Sequence, residues 1–316
     1  MRIAYLGTGE IGLPTLNLLS ADNTFQLCGI VTQPDRPAGR RQQLTSPPVK
    51  LWAEGKGFPV MQPESINDSK ALGVMESWKP DLILVCAYGQ ILKAPLLSLP
   101  PLGCWNIHAS LLPKHRGASC IHAALLAGDT RSGITLIQMN AGLDTGDILA
   151  TEALDIYPEE TASSLHDRLA NLAPHVVRKA LEHYVMGNLN ALPQNDAEAT
   201  YAPKLDREAG KIDWSQSAIE IARRIYALHN WPGSFTFYTD SHGKIKRLKI
   251  FPPVRIVSYQ ADSVTVPGTL ITSDSTYAVQ CGSGSLSLGS VQPEGSRVMD
   301  VGSWLRGGLI KGFQNG

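Results

Sequence analysis

Asn106 and His108 stand two apart at the end of an apolar run, and a carboxylate, Asp144, follows in the turn-like stretch Gly-Leu-Asp-Thr-Gly at 142–146. On an extended chain, residues i and i+2 share a face. One face therefore presents an amide able to hold a developing oxyanion and an imidazole able to move a proton near neutral pH. A carboxylate in a turn can reach back to orient that imidazole or to relay its proton. Together the three residue types describe acyl or formyl transfer without a covalent enzyme intermediate. Taken singly, each reads better as a capping Asn, a satisfied core His and a turn Asp. The order and context of all three favour catalysis.

The elements that must position them can be read from the pattern. Pro100, Pro101 and Gly103 precede the first pair and Pro113 follows it, so 103–108 is a short strand running into a loop. Residues 2–6, 27–32 and 81–87 are apolar runs of the kind buried parallel strands show. A glycine turn at 7–12 opens a helix through Leu19, and further helices are expected over 50–56, 71–77 and 120–127, with β segments at 60–62 and 133–140. Strands alternating with helices predict an α/β, Rossmann-like, mostly parallel doubly wound sheet. Ligands on such sheets bind at the carboxyl ends of strands, where Tyr88, His108 and Asp144 fall. Residues 161–186 read as a long helix that Pro174 should kink or divide. From Gly187 to Pro203 the chain is polar and aperiodic, as a linker is. An amphipathic helix over 215–228 follows, then short alternating segments at 234–238, 244–251, 268–272, 277–281 and 286–291, which suggest a small β-barrel. The expected division is a catalytic domain at 1–188, a linker at 189–205 and a C-terminal domain at 206–316.

Composition narrows the class. A chain of 316 residues with 43% hydrophobic content suits two domains with true cores. No apolar run approaches the roughly 20 residues of a membrane span, and the segment MRIAYLGTGEIG lacks a secretory h-region and cleavage site. The five cysteines, Cys28, Cys86, Cys104, Cys120 and Cys281, are odd in number and scattered, with no CxxC pair. Neither a disulfide framework nor a zinc site is expected, and a reducing cytoplasm fits. The formal net charge is zero, yet residues 201–316 carry roughly +4, offset by residues 1–200. That asymmetry permits a basic face on the C-terminal part.

Gly7-Thr8-Gly9-Glu10-Ile11-Gly12 satisfies GxGxxG after a strand, so dinucleotide binding must be weighed. The second strand, however, ends in Val31-Thr32-Gln33-Pro34-Asp35, with its acidic residue displaced into a proline-rich loop. A tight strand-to-helix turn is the better reading. The loop from Gln33 to Pro48 is long for a connector and sets Arg36, Arg40 and Arg41 among prolines. Guanidinium groups there suit phosphate or base-edge contacts, and the alternative is a solvated loop. Lys244, Lys246, Arg247 and Lys249 alternate with apolar residues, which places Lys244 and Lys246 on one strand face. This is either an edge strand guarded by lysines or a patch for RNA phosphates. Cys120 and His122, two apart on a helix, do not face each other as a nucleophile and its base would. His115 and His122 have no zinc spacing, and no metal is expected.

The stretch NIHASLLPKHRG, followed by GLDTGD, resembles the folate-dependent formyltransferases. TQPDRPAGR at 32–40, SPPVK at 46–50, CAYGQIL at 86–92 and KIDWSQSA at 211–218 extend the resemblance to the methionyl-tRNA branch, over Arg2 to about Arg306. It implies a formyltransferase fold followed by an OB-like C-terminal β-barrel domain. It also implies formyl transfer from 10-formyltetrahydrofolate, as co-substrate, to the α-amine of initiator methionyl-tRNA. Asn106, His108 and Asp144 would be catalytic. Ser110, Leu111, Leu112 and Pro113 would meet the folate, with Tyr88, Gly89, Ile91 and Leu92 around the pterin. Arg36, Arg40 and Arg41, with Lys244, Lys246 and Arg247, would meet tRNA. Gly9, Cys120 and His122 depart from the pattern usual in that family. The protein is expected to act as a monomer away from membranes. Rival readings are an amino-sugar-nucleotide N-formyltransferase using the same donor, a formate-releasing hydrolase, and a non-catalytic RNA- or folate-binding module.

Overall fold

The computed structural model describes residues 1–39, 42–258, 265–273, 276–307, 310 and 312–314. Two compact units emerge: 1–121 with 131–155 and 166–203, and 122–130 with 156–165 and 204–316. The boundary is therefore not a single cut in the sequence, since two short excursions from the first half count with the second unit.

The first half of the chain runs β1 (Arg2–Gly7), α1 (Leu13–Ala21), β2 (Gln26–Val31), β3 (Arg36–Ala38), β4 (Gln43–Thr45), α2 (Pro48–Gly55), β5 (Val60–Met61), α3 (Ser69–Trp78), β6 (Leu82–Cys86), α4 (Ala94–Leu97), β7 (Cys104–His108), α5 (Cys120–Ala127), β8 (Arg131–Gln138), β9 (Ile148–Asp155) and α6 (Ala162–Val185). Seven of these strands form one sheet in the order β5-β2-β1-β6-β7-β8-β9. The pairings from β5 to β7 are parallel, and β8 and β9 add antiparallel at one edge. The parallel strands are apolar because both faces are covered: Ile3, Leu6, Ile30, Leu82 and Leu84 are fully buried. Strand order reverses between β1 and β6, which opens the crevice where open α/β sheets take their ligands. β9 has no counterpart among the sequence expectations. It is an edge strand whose half-exposed run, Ile-Leu-Ala-Thr-Glu-Ala-Leu-Asp, carries no clean period.

Three further expectations meet a physical reason to differ. The 33–48 loop contains a separate two-stranded hairpin, β3 with β4, in which Arg36 pairs with Thr45 and Ala38 with Gln43. Pro174 sits inside α6 without dividing it. Burial of Leu169, Ala173, Val176, Val177, Ala180 and Leu181 along one stripe outweighs the roughly 3 kcal/mol that an internal proline costs. Most of the segment read as a linker is not free. Arg116 N donates to Thr200 O at 2.8 Å, Ala202 N to Arg116 O at 2.7 Å and Leu192 N to Ile148 O at 2.9 Å. Extended chain held by backbone bonds shows no side-chain period, so it resembles a linker in sequence.

The second unit holds α7 (Ala218–Ala227), β10 (Ser234–Thr239), β11 (Ile245–Val257), β12 (Leu270–Ser273), β13 (Thr276–Gln280), β14 (Ser285–Pro293), β15 (Met299–Asp300) and α8 (Val301–Arg306). Ser217 and Glu220 start α7 with a reciprocal capping box. The strands pair antiparallel as β10-β11-β14-β13-β12, with β15 on β14. Residues 312–314 close the edges: Gln314 N donates to Phe237 O at 2.9 Å and Phe313 N to Gly268 O at 2.7 Å. The result is the expected OB-like barrel. β11 runs past Pro252 and Pro253 because the register with β14 shifts there, and a bulge tolerates residues without an N–H. Trp214 is fully buried in the barrel core with Ile221, Ile225, Leu248, Leu286 and Val291. It stacks on Phe313 at 5.4 Å between ring centroids, and its indole N–H donates to Thr236 Oγ1 at 2.9 Å.

Candidate active site

β7 delivers Asn106 and His108 to one face, as the two-residue spacing requires. Asp144 arrives from the loop after β8. Asn140 shapes that loop, its side-chain oxygen accepting from Gly142 N at 2.9 Å and Thr145 Oγ1 at 2.8 Å. Asp144 itself takes the left-handed conformation, φ 53°, which Asp tolerates better than most residues. Gly146 is required by close approach: a Cβ there would lie 1.7 Å from the Gln138 carbonyl oxygen.

The three side chains converge as the sequence predicts. Asn106 Nδ2 donates to Asp144 Oδ1 at 3.3 Å, and His108 Nδ1 lies 3.6 Å from Asp144 Oδ2. Gly117 N also donates to that oxygen, at 2.8 Å. The other ring nitrogen of His108, Nε2, donates to the His115 carbonyl at 3.0 Å. His108 is only 5% exposed, and burial alone would strip its proton. Cys120, the Asp144 carboxylate and the His115 carbonyl more than offset that, raising the imidazole to about 9. An imidazolium satisfies both acceptors at once, so His108 is charged at neutral pH. Asn106, half-buried, spends one amide hydrogen on Asp144 and keeps a second.

Further groups hold this arrangement. Gln194, from the polar 187–203 stretch, donates through Nε2 to the Asp144 and Gly146 carbonyls, each at 2.7 Å. Gln194 is fixed in turn by Arg116, whose Nε and Nη2 donate to its Oε1 at 3.1 and 2.8 Å. Arg116 Nη2 also meets Asp196 Oδ1 at 2.6 Å. Cys120 is set against His108, and burial lowers the proton affinity of His122.

The glycine turn has a local cause. A Cβ on Gly12 would come within 1.7 Å of the Tyr5 hydroxyl, whereas Gly9 has nothing within 4 Å. Tyr5, fully buried, fills the space beneath the turn. Asp35 is also engaged elsewhere, by Lys50 Nζ at 2.7 Å, Ser46 Oγ at 3.0 Å and Gln62 Nε2 at 2.7 Å. The fingerprint is thus a packing motif.

The remaining expected contacts are placed as follows. Ser110 is fully buried and its hydroxyl donates to Lys114 O at 2.7 Å. Leu112 is buried, and Leu111 and Pro113 are half-buried. Tyr88 and Leu92 pack in the core with Ile66 and Val85, while Gly89 and Ile91 face outward, Ile91 being 80% exposed. The Tyr88 carbonyl accepts from Thr8 Oγ1 at 3.1 Å and Gln33 Nε2 at 3.0 Å. Arg36 is exposed and pairs with Glu64 at 2.5 Å. Arg40 and Arg41 lie outside the described residues. Lys244 belongs to the turn before β11, its N–H donating to Asp240 Oδ1 at 2.9 Å, so it does not share a strand face with Lys246. Lys246 Nζ pairs with Asp240 Oδ2 at 3.0 Å. Arg247 lies on the other face, its guanidinium carbon 3.4 Å from the Phe235 ring centroid. Among the described residues, no group of three or more His, Cys, Asp or Glu could hold a metal, and no helix is long and apolar enough to cross a membrane. All five cysteines are free and buried.

Comparison with known proteins gives a consistent result. Residues 1–181 match the family described as "Formyl transferase", and residues 204–309 match "Formyl transferase, C-terminal domain". A methionyl-tRNA formyltransferase of Akkermansia muciniphila is 42% identical over 308 residues, covering 97% of this chain and 96% of its own. One from Alkaliphilus oremlandii is 41% identical over 312 residues, covering 98% of each. Among solved structures, an N-formyltransferase from Helicobacter canadensis, in complex with folinic acid and dTDP-3-aminofucose, superposes with TM-score 0.65. It shares 16% identity and covers 91% of this chain and 98% of its own. HypX from Aquifex aeolicus, in complex with tetrahydrofolic acid, gives 0.58 at 18% identity, with 96% of this chain covering 47% of that longer one. At such identities the superpositions speak for the fold.

Proposed function

The chain belongs to the formyl transferase family, and we propose that it moves the formyl group of 10-formyltetrahydrofolate onto the α-amine of methionine esterified to initiator tRNA. The observation that carries this reading is the convergence of Asn106 and His108 on Asp144. Close identity along the whole chain to relatives called methionyl-tRNA formyltransferases supports the acceptor. The product, N-formylmethionyl-tRNA, serves translation initiation in the cytoplasm.

The chemistry follows from the charges in the site. The neutral amine attacks the formyl carbon, and the carbonyl π pair moves onto oxygen. Asn106 has one amide hydrogen left to give that oxyanion, and the imidazolium of His108 supplies positive potential in a water-poor setting. The former amine nitrogen, now cationic, loses its proton to Asp144. Asp144 hands the proton to N10 as the C–N10 bond breaks, leaving tetrahydrofolate. His108 holds Asp144 in place and favours its ionised form before the proton arrives and after it has left. N10 is an aryl amine and leaves readily, so no covalent enzyme intermediate is required.

The crevice at the carboxyl ends of β1 and β6 is the proposed folate site, lined by Tyr88, Gly89, Ile91, Leu92 and Ser110–Pro113. Because Ser110 is fully buried and its hydroxyl hydrogen goes to Lys114 O, contact with the donor falls to backbone groups and to Leu111 and Pro113. The proposed acceptor contacts are the hairpin arginines Arg36, Arg40 and Arg41 and the β11 cations Lys244, Lys246 and Arg247. Residues 1–188 would then be the catalytic domain, 189–205 its connection and 206–316 the tRNA-binding domain.

The test is direct. Incubation with 10-formyltetrahydrofolate and methionine-charged initiator tRNA should yield formylmethionyl-tRNA, and a UDP-amino sugar should remain unmodified. Formylation of the sugar alone would replace this reading with the amino-sugar one. Arg40→Ala should raise the KM for charged tRNA more than that for the donor.

A further inference from the structure

An isolated two-stranded hairpin is marginal in water, and among the described residues β3–β4 pairs with no other strand. Its strand residues Gln43, Leu44 and Thr45 are all exposed. A hairpin this small keeps one attitude only if its foot is held. Asp35 is the residue immediately before β3 and Ser46 the one immediately after β4. Ser46 Oγ donates across the foot to Asp35 Oδ2 at 3.0 Å. The same oxygen accepts from Lys50 Nζ of α2 at 2.7 Å. Asp35 Oδ1 accepts from Gln62 Nε2, just past β5, at 2.7 Å. One carboxylate therefore ties both legs of the hairpin to a helix and to the sheet. The Gln62 amide, with Lys50 and Ser46, holds the Asp35 carboxyl down at about 2, so it is ionised throughout the working range.

The tie continues inward. Gln62 Nε2 also donates to the Gln33 carbonyl at 2.8 Å, and the Gln33 side chain donates to the Tyr88 carbonyl at 3.0 Å. A parallel link runs from Arg36 to Glu64, whose carbonyl accepts from Gln90 Nε2 at 3.2 Å. The hairpin foot and the 88–92 segment thus share a continuous hydrogen-bonded path.

We propose that Asp35 and Gln62 are positioning residues for the acceptor, clamping the foot of the β3–β4 hairpin at a fixed attitude to the donor-binding segment. This rests on the function proposed above, with the hairpin meeting tRNA and residues 88–92 meeting folate. Neither residue touches a reacting atom; each acts through the hairpin. The clamp explains why an acidic residue stands in an otherwise cationic loop, where a carboxylate facing phosphate would be repelled. Here its charge is spent on Lys50.

Steady-state kinetics of Asp35→Ala, Asp35→Asn and Gln62→Met, with each substrate varied in turn, test the clamp. Fluorescence anisotropy with uncharged initiator tRNA measures binding apart from chemistry. Asp35→Ala should raise the KM for methionyl-tRNA and the tRNA dissociation constant roughly tenfold, while the donor KM moves less than twofold. Asp35→Asn keeps an oxygen for Gln62 and should fall between it and the wild type. Gln62→Met should follow the same pattern. Unchanged tRNA affinity in Asp35→Ala and Gln62→Met would overturn the clamp, as would equal loss for both substrates accompanied by a lowered Tm. Failure of the function reading looks different, because the unaltered protein would then formylate no methionyl-tRNA at all.

Discussion

Asp144→Asn separates the charge of the site from its shape. The amide oxygen of asparagine can still accept from Gly117 N, which now donates to Asp144 Oδ2 at 2.8 Å, so the loop should keep its course. What disappears is the negative charge 3.6 Å from His108 Nδ1. His108 ordinarily titrates near 6.5 and here at about 9, a difference worth about 3 kcal/mol in favour of the imidazolium after burial has been overcome. Cys120 contributes most to that rise and the Asp144 carboxylate a further share, roughly one pH unit for an opposite charge at this range. The sign follows from protonated His108 being the active form: kcat/KM falls as pH rises through its pKa. In the wild type that decline should begin near pH 9; in Asp144→Asn, with Cys120 and the His115 carbonyl still in place, it should begin roughly one pH unit lower. Loss of the proton relay should cost about 10²–10⁴ in kcat on the acid side of that limb. Stability should change in the same sense. A raised imidazole stabilises the fold fully below about 6.5 and loses that contribution as pH passes about 9. The asparagine variant should show a smaller drop in urea midpoint over this interval. The assay is the pH dependence of formylmethionyl-tRNA formation at subsaturating acceptor, with circular dichroism to verify folding. An alkaline limb that stays in place, or a variant with wild-type kcat, would refute the assignment of Asp144 as partner of a charged imidazole.

Other changes probe neighbouring parts of the argument. Asn106→Ala should lower kcat by about 10²–10³ with little effect on KM, because the amide acts on the oxyanion and not on bound substrate; an altered KM with normal kcat would contradict this in single-turnover experiments. Gln194→Ala frees the Asp144 and Gly146 carbonyls and should cut kcat about tenfold through misplacement of Asp144, with Tm near that of the wild type; an unaffected rate would show that the loop holds itself. Gly12→Ala drives a Cβ to 1.7 Å from the Tyr5 hydroxyl and should cost about 1–3 kcal/mol in urea denaturation. Adding Tyr5→Phe should recover part of that loss, and no recovery would mean that something other than Tyr5 demands the glycine.

The sequence determined which side chains of the proposed site share a face because spacing in a strand is local. Asn106 and His108 had to share a face once 104–108 was extended, and Asp144 in a glycine-flanked turn was free to reach them. The buried parallel strands were legible for the same reason: covered on both sides, they had to be uniformly apolar. Only the tertiary structure decided the charge state of His108, because burial, Cys120, Asp144 and a backbone carbonyl act on it from separate parts of the chain. Gln194 was beyond the reach of pattern, since extended chain docked by backbone hydrogen bonds has no period to read. The tight turn at 7–12 was legible, but Tyr5 beneath it was not, nor was the closure of Lys50, Ser46 and Gln62 on the displaced Asp35. Periodicity records which face a residue shows to water; it does not record which distant groups meet there, and in this protein those meetings set the protonation and aim of the site.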